Sequence, residues 1–373
     1  MKPGIFILLI TLWPVCLHAQ PQKKEPETLA LGASAPDFDL KGTDGKRYSL
    51  SDFSGAKVLA LLFTCNHCPT AQAYEQRVID LVNDYRDESF QLVGISSNDP
   101  DAISLSELGY SDMSDTYEEM QIRVKEMNYN FPYLYDGDEQ AAALAYGPVA
   151  TPHIFIFDQD RILRYVGRLD ASEKPGTAQA EDARQAIEEI MDGKEVSQPQ
   201  TKTFGCSIKW GWKDEWVQKQ LDEWAKEEVS LESISADGIR QLIANESDKL
   251  RLINVWATWC GPCIMEFPDF VEINRMYRGR DFEFISISAD KPEKHDKVLS
   301  FLQKKEASNQ NYIFDTDDKY ALIEAVDPEW QGALPYTLLV EPGGKIVYNQ
   351  QGTIDPQAMK RIIVENEYIG RYY

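Results

Sequence analysis

Two Cys-x-x-Cys pairs, Cys65/Cys68 and Cys260/Cys263, are the residues of this 373-residue chain best suited to chemistry. Two residues between the thiols is the spacing that lets one helical turn close a small disulfide ring. Each pair follows an apolar, β-prone run and leads into a helical pattern. A thiol at such a junction meets unpaired amide N–H groups and the positive end of the helix dipole, and both favour thiolate. Cys65 and Cys260 are therefore expected as nucleophiles, with Cys68 and Cys263 as the thiols that resolve a mixed disulfide. His67 directly precedes Cys68, and an imidazolium there favours thiolate at Cys65. Glu266 falls three residues after Cys263, on the same helical face, where it can exchange protons with the attacking thiol. Pro152 and Pro335, after Thr151 and Leu334, each precede an expected strand. A cis peptide at either proline would set backbone beside the sulfurs and offer a pairing edge to a substrate chain.

Competing chemistries are weaker. Four thiolates can bind zinc, but the pairs lie 195 residues apart in equivalent places of two repeats, so each belongs to its own domain. Covalent haem requires histidine directly after the second cysteine, where Pro69 and Ile264 stand. Four histidines are too few for a multi-histidine centre. No metal and no cofactor are expected, and structural disulfides without turnover remain a rival, chiefly for the first pair.

The elements that position these residues occur twice. Val58 to Cys68 pairs with Leu250 to Cys263, Phe90–Ser97 with Phe282–Ala289, Tyr133–Asp138 with Tyr312–Asp317, and Ala150–Asp158 with Ala333–Glu341. Each half reads β–α–β–α–β–β–α, so an α/β fold with parallel strands, crossover helices and a closing antiparallel hairpin is expected. From the second cysteine to the proline there are 84 residues in the first half and 72 in the second, room for an inserted helix and strand. Between the halves, residues 198–228 read as a linker whose Trp212, Trp216 and Trp224 sit on an amphipathic helix packed on one domain.

Trp259-Cys-Gly-Pro-Cys263 after Asn254-Val-Trp-Ala-Thr, with Pro335 downstream, resembles the thioredoxin superfamily. Cys263-Ile-Met-Glu266-Phe-Pro268 resembles the TlpA/ResA-like extracytoplasmic thiol–disulfide oxidoreductases. The first half resembles redoxin-type domains through Ala35-Pro-Asp-Phe-Asp-Leu40, Asp44-Gly45, Ser49-Leu50 and Cys65-Asn-His-Cys68-Pro. The resemblance covers residues 29–197 and 229–373. It implies two thioredoxin-like domains, each a central mixed β-sheet flanked by helices. It also implies exchange with protein thiols and disulfides, most simply as a reductase, in cytochrome c maturation or general disulfide reduction. A membrane electron donor of the DsbD/CcdA type, a pKa-tuning Glu266 and a substrate surface of Trp259, Thr151, Pro152, Leu334 and Pro335 follow from the same resemblance. Strongly oxidising members carry histidine at the place of His67, so Cys65/Cys68 is expected to be the more oxidising couple. Family motifs span about −120 to −270 mV.

Departures leave two alternatives. The second domain lacks an Ala-Pro-x-Phe opening hairpin and starts at Val229-Ser-Leu-Glu. A peroxiredoxin needs Thr or Ser three residues before its peroxidatic cysteine; Cys65 has Leu62 there and Cys68 has Cys65. A thiol-dependent peroxidase and a non-catalytic thioredoxin-fold binding module are the runners-up.

The formal charge of −23 argues against nucleic acid and anionic membrane surfaces as partners. Residues 1–19 read as an export signal: Lys2, an apolar run from Ile5 to Leu12, and Leu17-His18-Ala19 before Gln20. Trp13-Pro14-Val15 lacks the small residues of a lipid-attachment site at Cys16. An exported, periplasmic or otherwise extracytoplasmic protein without stable membrane insertion follows, and there disulfides persist. Cys206 is the odd mature thiol: a buried cysteine, a third redox partner for the first centre, or an intermolecular link.

Overall fold

The computed structural model describes residues 25–86 and 89–371. The expected export signal, with Cys16, lies outside them. Among the described residues, thirteen strands form two mixed sheets.

The first unit holds β1 (Asp39–Gly42), β2 (Arg47–Ser49), β3 (Val58–Thr64), α1 (Pro69–Asp84), β4 (Phe90–Ser96), α2 (Tyr117–Met127), β5 (Tyr133–Tyr135), α3 (Ala141–Tyr146), β6 (His153–Phe157), β7 (Leu163–Gly167) and α4 (Glu181–Met191). Its sheet order is β2-β1-β5-β4-β3-β6-β7. After α5 (Asp214–Trp224), the second unit holds β8 (Glu232–Ile234), α6 (Ala236–Ala244), β9 (Leu250–Trp256), α7 (Gly261–Tyr277), β10 (Phe282–Ser288), α8 (His295–Lys304), β11 (Gln310–Phe314), α9 (Lys319–Val326), β12 (Tyr336–Glu341), β13 (Lys345–Gln351) and α10 (Pro356–Glu365). Its order is β13-β12-β9-β10-β11-β8.

The expected α/β class and the two mixed sheets flanked by helices are both present. β3 and β9 are buried along their whole length because helices cover both faces, which is why they read as near-continuous apolar runs. β3 runs parallel to β4 and antiparallel to β6, and β9 pairs with β10 and β12 in the same way. Among the described residues the second unit has no opening hairpin; β8 instead adds a parallel edge strand beside β11.

Register fixes the correspondence between the halves. Thr64 faces Ser96 at the end of β3, and Trp256 faces Ser288 at the end of β9. Cys68 lies four residues past Thr64, and Cys260 four residues past Trp256. The structural counterpart of Cys260 is therefore Cys68, and the two Cys-x-x-Cys motifs are offset by one turn.

The connection between the units differs from a free linker. Residues 199–212 run along the first unit, where Ile208 and Trp210 are buried in its core and Trp212 stacks on Trp210 at 4.7 Å. Trp224, by contrast, meets the guanidinium groups of Arg275 in α7 and of Arg278 just after it. The indoles expected on one domain are thus divided between two, and Trp216 is exposed. Ile103 and Leu108, which follow β4, join the core of the second unit. Asp112, fully buried, binds Arg361 at 3.0 Å and Arg371 at 2.9 Å, and Tyr277 donates to the Ser111 carbonyl at 2.7 Å.

Candidate active sites

In the second unit, the sequence starts α7 at Gly261 with Cys260 as its N-cap, in extended conformation. The Cys260 sulfur accepts the Cys263 N–H at 3.3 Å, and the two residues form a disulfide with Cα atoms 5.3 Å apart. Both sulfurs are largely buried, but the rim is open: Trp259 is 62% and Met265 81% exposed. Leu334 packs against the cluster containing Cys260 and Cys263. The Leu334–Pro335 peptide is cis. Among the described residues, neither the N–H nor the C=O of Leu334 meets a hydrogen-bond partner.

Glu266 lies one turn beyond Cys263, also buried. One carboxylate oxygen accepts the Ile354 N–H at 3.0 Å, and the other has no partner among the described residues. Burial pushes its pKa up to about 7, with the nearby Asp269 charge adding to it and the Ile354 bond opposing.

In the first unit the helix starts later. Pro69 occupies the first helical position of α1, and Cys68 is the N-cap. Cys65 sits before the turn, outside the helix field. Only a thiol at the helix start meets the first amides and the dipole, so in this unit Cys68, where Cys65 was expected, takes the position that favours thiolate. Cys65 Sγ lies 3.2 Å from Thr151 Oγ1, and Cys68 Sγ lies 3.2 Å from the Thr151 carbonyl, to which its thiol form donates. The Thr151–Pro152 peptide is cis.

His67 is buried, with Nδ1 2.7 Å from Asp115. Burial opposes the imidazolium, but the Asp115 carboxylate more than offsets it and raises the His67 pKa. Asp115 also accepts the backbone N–H groups of Asn66 and His67 and the Asn98 amide, which fixes the turn from Cys65 to Cys68. Burial disfavours thiolate at Cys68 too. Hydrogen bonds from Cys206 and Cys65, the His67 charge and the Ala71 N–H overcome it and hold Cys68 well below the usual thiol range. Burial, and the hydrogen bond it gives Cys68, push Cys65 well above it. His67 thus favours thiolate at Cys68, its neighbour, where Cys65 was expected to benefit.

Cys65, His67 and Asp115 bring ligand-type atoms within 4.8 Å of one another. Asp115 already accepts four hydrogen bonds there, one of them from the ring nitrogen, so the trio is a hydrogen-bonded turn. Asp115 and Asn98 carry no sequence signal, because their partners lie tens of residues away. Cys206 is drawn into this site, packed on Cys65 and Cys68.

Residues 31–166 match the AhpC/TSA family and residues 224–364 match the Redoxin family. The chain belongs to the thioredoxin superfamily, with two redoxin-type domains. The thiol-disulfide oxidoreductase ResA of Bacillus subtilis (strain 168) is 29% identical over 118 residues, 32% of this chain and 62% of the relative. ResA of Geobacillus kaustophilus (strain HTA426) is 25% identical over 109 residues, 29% of this chain and 58% of that protein. The chain thus spans less than two thirds of these curated relatives. Among solved structures, a hypothetical protein from Sinorhizobium meliloti 1021 is 33% identical, with a TM-score of 0.44, over 49% of this chain and 96% of that one. A conserved protein from Geobacillus kaustophilus is 35% identical, TM-score 0.43, over 48% and 92%.

Proposed function

We propose that this redoxin-type protein is an extracytoplasmic thiol–disulfide oxidoreductase whose substrate-facing couple is Cys260/Cys263, acting as a reductase of protein disulfides. The supporting observation is the open edge at Leu334 beside a helix-capping Cys260. A client strand can pair with the free Leu334 backbone groups while Trp259 and Met265 supply an apolar rim. Similarity to the ResA proteins points to the same activity.

The reduced pair acts in two displacements. Cys260 thiolate, favoured by the first amides of α7, attacks a client sulfur and expels the other as thiolate. Glu266, with a pKa near neutrality, takes the proton of Cys263, whose thiolate attacks Cys260 Sγ and releases the client's second thiol. The Cys260–Cys263 disulfide and a client dithiol result. A dithiol of a membrane electron donor of the DsbD/CcdA type then restores the pair. Apocytochrome c is one such client. Reduction is the favoured direction because Cys-Gly-Pro-Cys sites of the thioredoxin type lie near −270 mV, at roughly the reducing end of the family range.

The AhpC/TSA match raises a peroxidase at Cys68, but Cys65 occupies the place three residues before it where Thr or Ser is needed. Residues 1–19 support export by their sequence, and no helix among the described residues is long and apolar enough to cross a membrane. Insulin reduction by the full chain tests the reading. Cys260→Ser is expected to lower the rate at least about a hundredfold, as loss of a covalent nucleophile does. Retained activity would move the chemistry to the first unit.

A further inference from the structure

The edge left open at Leu334 is filled, in the first unit, by the chain itself. Thr151 donates its N–H to the Cys206 carbonyl at 2.8 Å, and Cys206 donates its N–H to the Thr151 carbonyl at 3.2 Å, as an antiparallel bridge. That contact packs Cys206 on the buried cluster of Cys65, Cys68 and Ala71. The segment is held on both sides. Gly205 has φ +132°, and a Cβ there would lie 2.1 Å from the Thr151 carbonyl oxygen, so the close approach requires glycine. Beyond Cys206, Ile208 and Trp210 are buried in the core. The Lys209 N–H donates to Asn98 Oδ1 at 2.8 Å. The same Asn98 also binds Asp115, so one residue orients both the Cys65–Cys68 turn and the strand that carries Cys206. Cys65 and Cys68 are 2% and 0% exposed, while Cys206 is partly exposed.

We propose that Cys206 is the redox port of the first unit: it forms a disulfide with Cys68, and external dithiols exchange with that centre at Cys206 Sγ. The exchange half of this statement rests on the thiol–disulfide reading above. From a Cys65–Cys68 disulfide, the Cys206 thiol gives up its proton and its sulfur attacks Cys68 Sγ. The Cys65–Cys68 bond breaks, Cys68–Cys206 forms, and Cys65 leaves as thiolate and takes up a proton, with no net electron change. An external dithiol then attacks Cys206 Sγ and expels Cys68 thiolate, which the Ala71 N–H and His67 receive. The second thiol of the dithiol releases Cys206. The dithiol is oxidised to a disulfide, and Cys68 and Cys206 are left as thiols.

The test uses the full chain equilibrated in glutathione buffers of graded potential, quenched with acid, and mapped by differential alkylation and non-reducing peptide mass spectrometry. A Cys68–Cys206 peptide is expected in the oxidised wild type. Cys65→Ala, which keeps both partners, should still show it, with Cys206 labelling falling about tenfold in step with Cys68. Protection of Cys65 and Cys68 while Cys206 stays fully labelled in the wild type would overturn the proposal. Cys260 and Cys263 are read in the same samples. Failure of that couple with Cys68–Cys206 intact would count against the proposed reductase alone.

Discussion

Glu266 carries a pH dependence of its own. Burial raises its folded pKa to about 7, above the ordinary carboxyl value, so the folded protein holds the proton more tightly than the unfolded chain does. Between those two values stability falls as pH rises, and above the folded pKa the cost is complete. Urea denaturation at about pH 5 and about pH 8 should show the wild type losing on the order of 2 kcal/mol that Glu266→Gln keeps. Equal losses in both proteins would show that the carboxyl is not perturbed. At this scale the cysteines, Glu266 and the two prolines were legible, because their chemistry depends on spacing along a few residues. Asp115 was not: it reaches His67 across 48 residues, and nothing around Ser114-Asp115-Thr116 signals a partner.

The helix start decides which sulfur sits in the helix field. Aligning the Cys-x-x-Cys motifs directly equates Cys65 with Cys260, whereas strand register equates Cys68 with it. The missed signal was Pro69, since proline favours the first helical position and marks Cys68 as the cap. The apolar runs of β3 and β9 were readable because buried parallel strands keep their apolar residues on both faces. Residues 199–212 were not, because a segment paired only through isolated backbone bridges, at Gln200 and Cys206, shows no periodicity. Gly205→Ala is expected to undock this segment at a cost of about 2–4 kcal/mol, through its Cβ contact with Thr151 and its positive φ. Hydrogen exchange should then speed up at the Thr151 and Cys206 amides, with Cys68 alkylated faster. Unchanged exchange would mean that the bridge does not depend on the glycine.

Across the whole molecule, duplication was plain in the sequence, but the way the copies join was not. The first half is longer between its second cysteine and its proline, and part of that length, residues 103–112, packs on the second unit. Asp112 holds Arg361 and Arg371 there, and burial opposes its charge while the Arg371 guanidinium more than offsets it. The two arginines keep some solvent, so Asp112→Ala is expected to cost about 1–3 kcal/mol, less than a fully buried pair. Urea unfolding followed by tryptophan fluorescence and circular dichroism should turn from one transition into two; a single unchanged transition would contradict this coupling. The open edge in one unit and the self-filled edge in the other are the basis on which client contact is proposed for the second. The most direct test is trapping: reduced full-length Cys263→Ala is mixed with a disulfide-bonded peptide, quenched and mapped by mass spectrometry. One stable mixed disulfide, at Cys260, is expected. No adduct, or an adduct at Cys65, Cys68 or Cys206 with Cys260 free, would contradict it.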